Sequence, residues 1–360
     1  MSKNLRVGFI GSGWAERVQI PAFKMGGLHA QAIASGRVEN AERAASRHAI
    51  PEVYADWRDL VASEAVDIVS ITTPPNLHAE IAVTALQAGK HVICEKPTAL
   101  NAAEAEKMLA AAQAAPNQLA IVDHELRFTP QRQAIRRLFR QHYVGRGLWV
   151  ELTWRYPARL DPAQPWNWWS DVEQGGGALG AIGSHLLDLS RWLFGHIEML
   201  SAQLKTGLVY RNDPGTGDER LVTADDHAHI ALRFTNGMDG AITASAISPG
   251  APGMTVTLYG TEGALRLDEA DRLWGMKAAA FAAGEWTEID VDDPVKANSE
   301  LPAGTSFARG SVYLAQAIAR TLGSGEHWIA DAASFYDGLK AQQMIDAARR
   351  SHAEQAWVRF

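Results

Sequence analysis

The stretch RVGFIGSGWAE, Arg6 to Glu16, decides the fold. An apolar run of strand length breaks at Gly11 into a G-x-G turn, and a helical pattern follows. Gly11 and Gly13 permit a tight turn that presents backbone N–H groups to a pyrophosphate at a helix start, with Ser12, Trp14 and Ala15 completing the loop. Glu16 stands where the dinucleotide pattern has its third glycine, the residue that normally allows close helix–strand packing. A G-x-G alone is a common pattern; its weight here comes from sitting between a strand and a helix in the first of several such units.

Working outward, AQAIAS (30–35), VDIVSIT (66–72), HVICEK (91–96) and LAIVD (119–123) are short, continuous apolar runs separated by amphipathic stretches such as HAEIAVTALQAGK (78–90). Continuous rather than alternating apolar strands imply a parallel sheet covered on both faces, a doubly wound nucleotide-binding domain over residues 1–124. From residue 147 the segments lengthen and alternate: GLWVELTWRY (147–156), HAHIALRFTNG (227–237), GAITASAIS (240–248), MTVTLYG (254–260) and GALRLD (263–268), with hairpin turns at TNG (235–237) and GTEG (260–263). The expected architecture is α/β: an N-terminal Rossmann sheet, then an α+β domain over 125–360 with a large, mainly antiparallel open sheet and closing helices at 311–322 and 333–350. DDPVKANSELPAGTS (292–306) reads as an exposed loop. A sheet with one face free of helices suits burial against another subunit, so a homodimer or homotetramer is expected.

A formal charge of −7 and the absence of a long Lys/Arg run argue against a general nucleic-acid binder, which needs a basic surface. No apolar run is long enough to span a bilayer, and the amino terminus lacks the apolar core of a signal peptide. The lone Cys94 cannot form an internal disulfide and fits a reducing cytoplasm. No His, Cys, Asp or Glu set has convincing metal spacing, and His227 and His229, alternating in a strand, read as sheet-surface residues. The tryptophans of WNWWS (166–170), close to a glycine run, suggest a cleft for a small molecule.

The end of the second strand carries the cofactor signal. An acid about twenty residues after the G-x-G would bind the ribose 2′-hydroxyl of NAD. Ser35 stands there, followed by Gly36 and Arg37, and a hydroxyl plus a guanidinium suits the 2′-phosphate of NADP. The alternative is that Arg37 is a solvated charge and Glu39 supplies the acid, which would leave NAD as the cofactor.

ITTPPNLHAEIA (71–82), HVICEKP (91–97) and GGGALGAIGSHLLD (175–188), in that order after the G-x-G, resemble the Gfo/Idh/MocA family of nicotinamide-dependent oxidoreductases, over essentially the whole chain. The resemblance implies that Lys96 lies near the nicotinamide and the substrate hydroxyl, with a cis bond before Pro97. It implies that Thr73, Pro74, Asn76 and His78 line the nicotinamide ribose side, and that Glu95 contacts the cofactor ribose. His124 and Arg127, in VDHELRFTP (122–130), match a linker that can face substrate or a domain interface, and Trp168 matches a tryptophan beside the cofactor, with Trp169 in place of the arginine that often follows it.

His185 matches the family's general acid/base, a role its ordinary pKa suits. Glycines 175–177 would let backbone approach a ligand, and Asp188, one turn on, would orient the imidazole or pair with Arg191. The departure is Ala181, where family members often carry a catalytic aspartate. The expectation is an NADP(H)-dependent enzyme moving hydride between nicotinamide and a hydroxyl/carbonyl of a sugar, cyclitol or related diol, Lys96 and His185 handling the proton. The alternatives are a non-catalytic NADP- and ligand-binding sensor, motivated by Ala181, and an oxidoreductase that never releases its cofactor.

Overall fold

The computed structural model describes residues 5–250, 253–296 and 305–360. The chain forms two compact units, Met1–Thr129 with Asp293–Leu339, and Pro130–Asp292 with Lys340–Phe360. The first is built from β1 (Arg6–Ile10), α1 (Ile20–Met25), β2 (His29–Ala34), α2 (Val38–His48), β3 (Glu52–Tyr54), α3 (Trp57–Ala62), β4 (Ile68–Ile71), α4 (His78–Gln87), β5 (His91–Cys94), α5 (Ala102–Ala114) and β6 (Ala120–Val122). Strands β1 to β6 pair in parallel, β4 running beside β1 so that the sheet grows outward in both directions from the G-x-G strand. Both faces are covered, which is why the apolar runs do not alternate. Val7, Phe9, Ile33 and Ile93 pack with Phe23 of α1 on one side, and Ile10, Val69, Ile71 and Val92 pack with Ile81, Leu86 and Met108 of α4 and α5 on the other.

The second unit starts with α6 (Pro130–Arg140) and β7 (Gly147–Arg155). After a Trp-rich excursion come α7 (Ser184–Phe194), β8 (Ile197–Lys205), a small ribbon of β9 (Tyr210–Asn212) and β10 (Glu219–Leu221), then β11 (His227–Phe234), β12 (Asp239–Ser245), β13 (Gly253–Gly260), β14 (Gly263–Leu267), β15 (Leu273–Lys277) and β16 (Thr287–Ile289). Its large sheet is antiparallel except where β12 pairs in parallel with β7. Gly237 closes the β11–β12 hairpin at φ +82°, as TNG implies. Burial alternates along β11 and β13: Ile230, Leu232, Val256 and Leu258 face inward, with α7 against β7 and β12, while Trp149, His229, Arg233 and Tyr259 stay accessible.

The last elements are α8 (Ser306–Gly323), β17 (Ala333–Ser334), α9 (Phe335–Glu354) and β18 (Val358–Arg359). β17 pairs antiparallel with β6 at the edge of the first sheet, and β18 joins the edge of the second at β8. The linear division at residue 124 therefore differs from the observed units. α8 carries Leu314, Ala315 and Ile318 into the core of the first unit because its apolar stripe fits the gap beside α1. Most of the loop expected at 292–306 lies outside the described residues.

Candidate functional site

The phosphate loop is held by backbone. Gly11, at φ +103°, donates its N–H to Ala34 O at 2.8 Å, and a Cβ there would stand 2.6 Å from Thr72 O. Thr72 Oγ1 in turn donates toward Ile10 O and Gly11 O. Gly13 is exposed, with nothing within 4 Å of where its Cβ would be. That open space at the head of a helical turn is what a pyrophosphate needs. The turn Ala15–Gln19 is a π-helical one, a form frequent at functional sites. Glu16, in place of the third glycine, is buried and forms ion pairs with Arg43 and Arg47 of α2 at 3.4 and 2.6 Å. Ser12 and Ser35 share a hydroxyl hydrogen bond at 3.2 Å, while Gly36 and Arg37 are exposed.

Lys96 stands at the same sheet edge. Its Nζ lies 3.7 Å from Glu95 Oε2 and 6.0 Å from the centre of the Trp14 ring, and the bond to Pro97 is cis. Trp14 is itself braced edge-on by Phe307. Thr73 and Pro74 are half-buried and Asn76 exposed, on the turn into α4. His78 has no exposed surface. Its ring nitrogens face Thr73 O at 2.9 Å and Pro97 O at 3.0 Å, so it ties two loops together behind the edge instead of lining it. Burial pushes its pKa down to about 4, so the neutral ring donates to only one of the two carbonyls.

Glu95 also points inward. Gln19 Nε2 donates to Glu95 Oε1 at 2.9 Å and to Asp123 Oδ2 at 2.6 Å, and Gln19 Oε1 accepts from Ser70 Oγ at 2.7 Å. Burial holds the Glu95 carboxyl above its ordinary range, opposed by Lys96. Burial, then Glu95, holds Asp123 well above, and burial, then Asp123 and Glu95, does the same to Glu125. His124 is buried, and the buried Arg127 pairs with Asp337 of α9 at 3.6 Å, inside the first unit.

In the second unit Gly177, at φ +109°, leads into a second π-helical turn, Leu179–Gly183. The glycine run makes close approaches, but to the chain itself and not to an open cleft. A Cβ on Gly176 would stand 2.5 Å from Trp169 O, and one on Gly177 2.5 Å from Asp225 Oδ1. Asp225 caps the turn, its carbonyl accepting from Ala178 N–H and its Oδ2 from Leu179 N–H, both at 2.8 Å. Burial pushes the Asp225 carboxyl up to about 6, against the Leu179 N–H and Arg349, which favour ionisation. Ala181 is half-exposed, and His185, in the first turn of α7, is buried with its ring 6.0 Å from that of Trp154. Asp188 is buried and Trp168 partly exposed.

The residues overlooked in the sequence are Gln19, Asp123, Glu125 and Asp225. Gln19 had a weak signal: a polar residue between Val18 and Ile20, just before the apolar start of α1. Asp225 lies 46 residues from the N–H it caps, and no local pattern announces that.

A parallel sheet whose central strand ends in an open glycine turn, with a lysine at the same edge, defines a dinucleotide-binding protein of the Rossmann class. Residues 5–124 match the family described as an oxidoreductase family with an NAD-binding Rossmann fold, and residues 132–266 match the GFO/IDH/MocA C-terminal domain. An uncharacterized oxidoreductase of Synechocystis is 31% identical over 99% of this chain and 96% of its own length, and the human glucose-fructose oxidoreductase domain-containing protein 2 is 30% identical over 98% and 92%. Levoglucosan dehydrogenase of Pseudarthrobacter phenanthrenivorans is 29% identical over 99% and 98%. A levoglucosan dehydrogenase structure in complex with NADH and levoglucosan superposes with a TM-score of 0.88 at 29% identity, covering 99% of each chain. This chain belongs to the Gfo/Idh/MocA family and is an NAD-binding-type oxidoreductase.

Proposed function

We propose that the protein is a dehydrogenase or reductase acting on a hydroxyl/carbonyl pair of a sugar or related polyol, with Lys96 and His185 handling the proton. The observation that carries this reading is the placement of the Lys96 ammonium beside the phosphate loop, within 6.0 Å of the Trp14 ring. The similarity to levoglucosan dehydrogenase supports a sugar as substrate. The residues fit a nicotinamide dinucleotide: the exposed Gly13 N-terminal to a helical turn would receive its phosphates, and Thr73, Pro74, Asn76 and Lys96 share the edge where its reactive end belongs. When bound, the cofactor supplies the hydride acceptor or donor. Lys96, a hydrogen-bond donor beside the substrate oxygen, would polarise it and stabilise the charge that develops there. His185, in the first turn of α7 and buried, would take up or return the substrate's proton.

NADP is the cofactor favoured by Ser35 and Arg37, which place a hydroxyl and an exposed guanidinium where an NAD-specific chain has an acid. The comparison protein was solved with NADH, so the choice is one that binding must decide. The accessible face of the second unit's sheet, with Trp149 and Tyr259, supports a homodimer or homotetramer.

The test is steady-state turnover with a panel of sugars that includes levoglucosan. Lys96→Met and His185→Ala are each expected to lower kcat by about 10²- to 10⁴-fold while the dissociation constant of the dinucleotide stays near wild type. Wild-type kcat in both variants would end the proposed roles. The second reading, a sensor that binds without turnover, rests on Ala181; it requires dinucleotide binding with no change in nicotinamide absorbance for any sugar in the panel. An enzyme with a non-released cofactor would instead carry nucleotide through gel filtration.

A further inference from the structure

Three carboxyl groups, Glu95, Asp123 and Glu125, are at most 6% exposed at the ends of the adjacent strands β5 and β6. Among the described residues, the cation that acts on all three is Lys96. Three buried carboxylates around one ammonium would leave charge uncompensated, a cost of several kcal/mol per ion, so the cluster holds protons. The hydrogen bonds say where. Glu95 accepts from Gln19 Nε2 at 2.9 Å and from the Lys96 backbone N–H at 3.2 Å, and its Oε2 faces Lys96 Nζ at 3.7 Å. Asp123 accepts from Gln19 at Oδ2 alone; its buried Oδ1 accepts no hydrogen bond from a described residue. Gln19 Nε2 bridges Glu95 Oε1 and Asp123 Oδ2, and of the two carboxyls the donor-poor one, which suits a proton, is Asp123. Ser70 holds Gln19 Oε1 at 2.7 Å and so fixes which end of the amide faces the acids. Both carboxylate oxygens of Glu125 are buried without a hydrogen-bond partner among the described residues, as suits a second protonated acid.

We propose that Gln19 is a positioning residue for Lys96: it grips Glu95 and a protonated Asp123 as one unit, and so fixes the carboxylate against which the ammonium rests. This rests on the reading of Lys96 given under Proposed function. The other titratable groups around the pair are Cys94 on β5, His78 on α4, and His124 and Glu125 after β6. From α8, Gly310 packs on Glu125, and the neighbouring Arg309 is paired with Asp293 at 3.2 Å.

Asp123→Asn keeps the shape of the protonated acid, its amide oxygen accepting from Gln19. The variant is expected to turn over close to wild type, and the infrared difference spectrum at neutral pH to lose the C=O stretch of one protonated carboxylic acid. Gln19→Leu is expected to lower kcat about 10- to 100-fold, with little change in KM or in the dinucleotide dissociation constant, because Lys96 is misplaced and not removed. A spectrum from which Asp123→Asn removes no protonated-acid band overturns the proposal, as does wild-type kcat in Gln19→Leu. Should Gln19→Leu fail to fold, the spectra of wild type and Asp123→Asn decide alone. A lost band in a protein that turns over no sugar supports the gripped pair and removes the proposed function instead.

Discussion

The chain builds a glycine-led π-helical turn twice, at residues 11–19 and 175–183, and leaves only the first one open. Both have a glycine at positive φ, one π-helical turn and then an α-helix. In the first, the exposed Gly13 has empty space beside it, and the turn ends on Gln19, which organises buried acids. In the second, Asp225 already occupies the N-terminal N–H groups, as a bound anion would, and the glycines fit against it and against the backbone of Trp168 and Trp169. The same local pattern thus leaves open space in one unit and serves internal packing in the other. Long-range partners set the difference.

The largest expected effect tests packing in the second turn. Gly177→Ala forces an L-residue to φ +109° and a methyl into Asp225, and should lower unfolding free energy by about 4 kcal/mol in denaturant titration. Gly13→Ala, its counterpart in the open turn, should change stability by less than about 0.5 kcal/mol and weaken dinucleotide binding. Equal loss of stability in the two variants would erase the contrast. The next effect is electrostatic. Asp225 has a folded pKa of about 6 against an ordinary carboxylate value of about 4, so between these the native state keeps a proton that the unfolded chain releases. Stability from this group is therefore full below about pH 4 and lost as pH rises through about 6, by about 3 kcal/mol in all. Asp225→Asn keeps an acceptor for Leu179 N–H and should flatten that slope in a series of thermal melts; an unchanged slope would assign it elsewhere. The smallest effect returns to the open turn. Arg37→Ala should weaken NADP⁺ about tenfold, near 1.4 kcal/mol, and leave NAD⁺ binding unchanged, as isothermal titration would read. Equal losses for both dinucleotides would show that Arg37 does not read the 2′-phosphate.

Much of both units was legible because the signals are local. Strand runs, the G-x-G and the switch to alternating strands after residue 147 each depend on neighbours within a few positions, and the hairpin at 235–237 follows from three residues. The short strand β3 and the return of α8 to the first unit were not legible: β3 is three residues long, and α8 finds its place through a stripe that would suit either core. His78, Glu95 and Arg127 carry motif positions, yet each spends its polar atoms on protein partners.

By itself the sequence determined which backbone turns form, which segments are strands of a parallel or an antiparallel sheet, and that Lys96 follows a parallel strand, since steric and hydrophobic periodicity act over a few residues. Only the tertiary structure decided which turn stays open and which acids are buried together. Burial and charge neutralisation depend on groups such as Gln19 and Asp123, 104 positions apart, that meet only after the chain has folded.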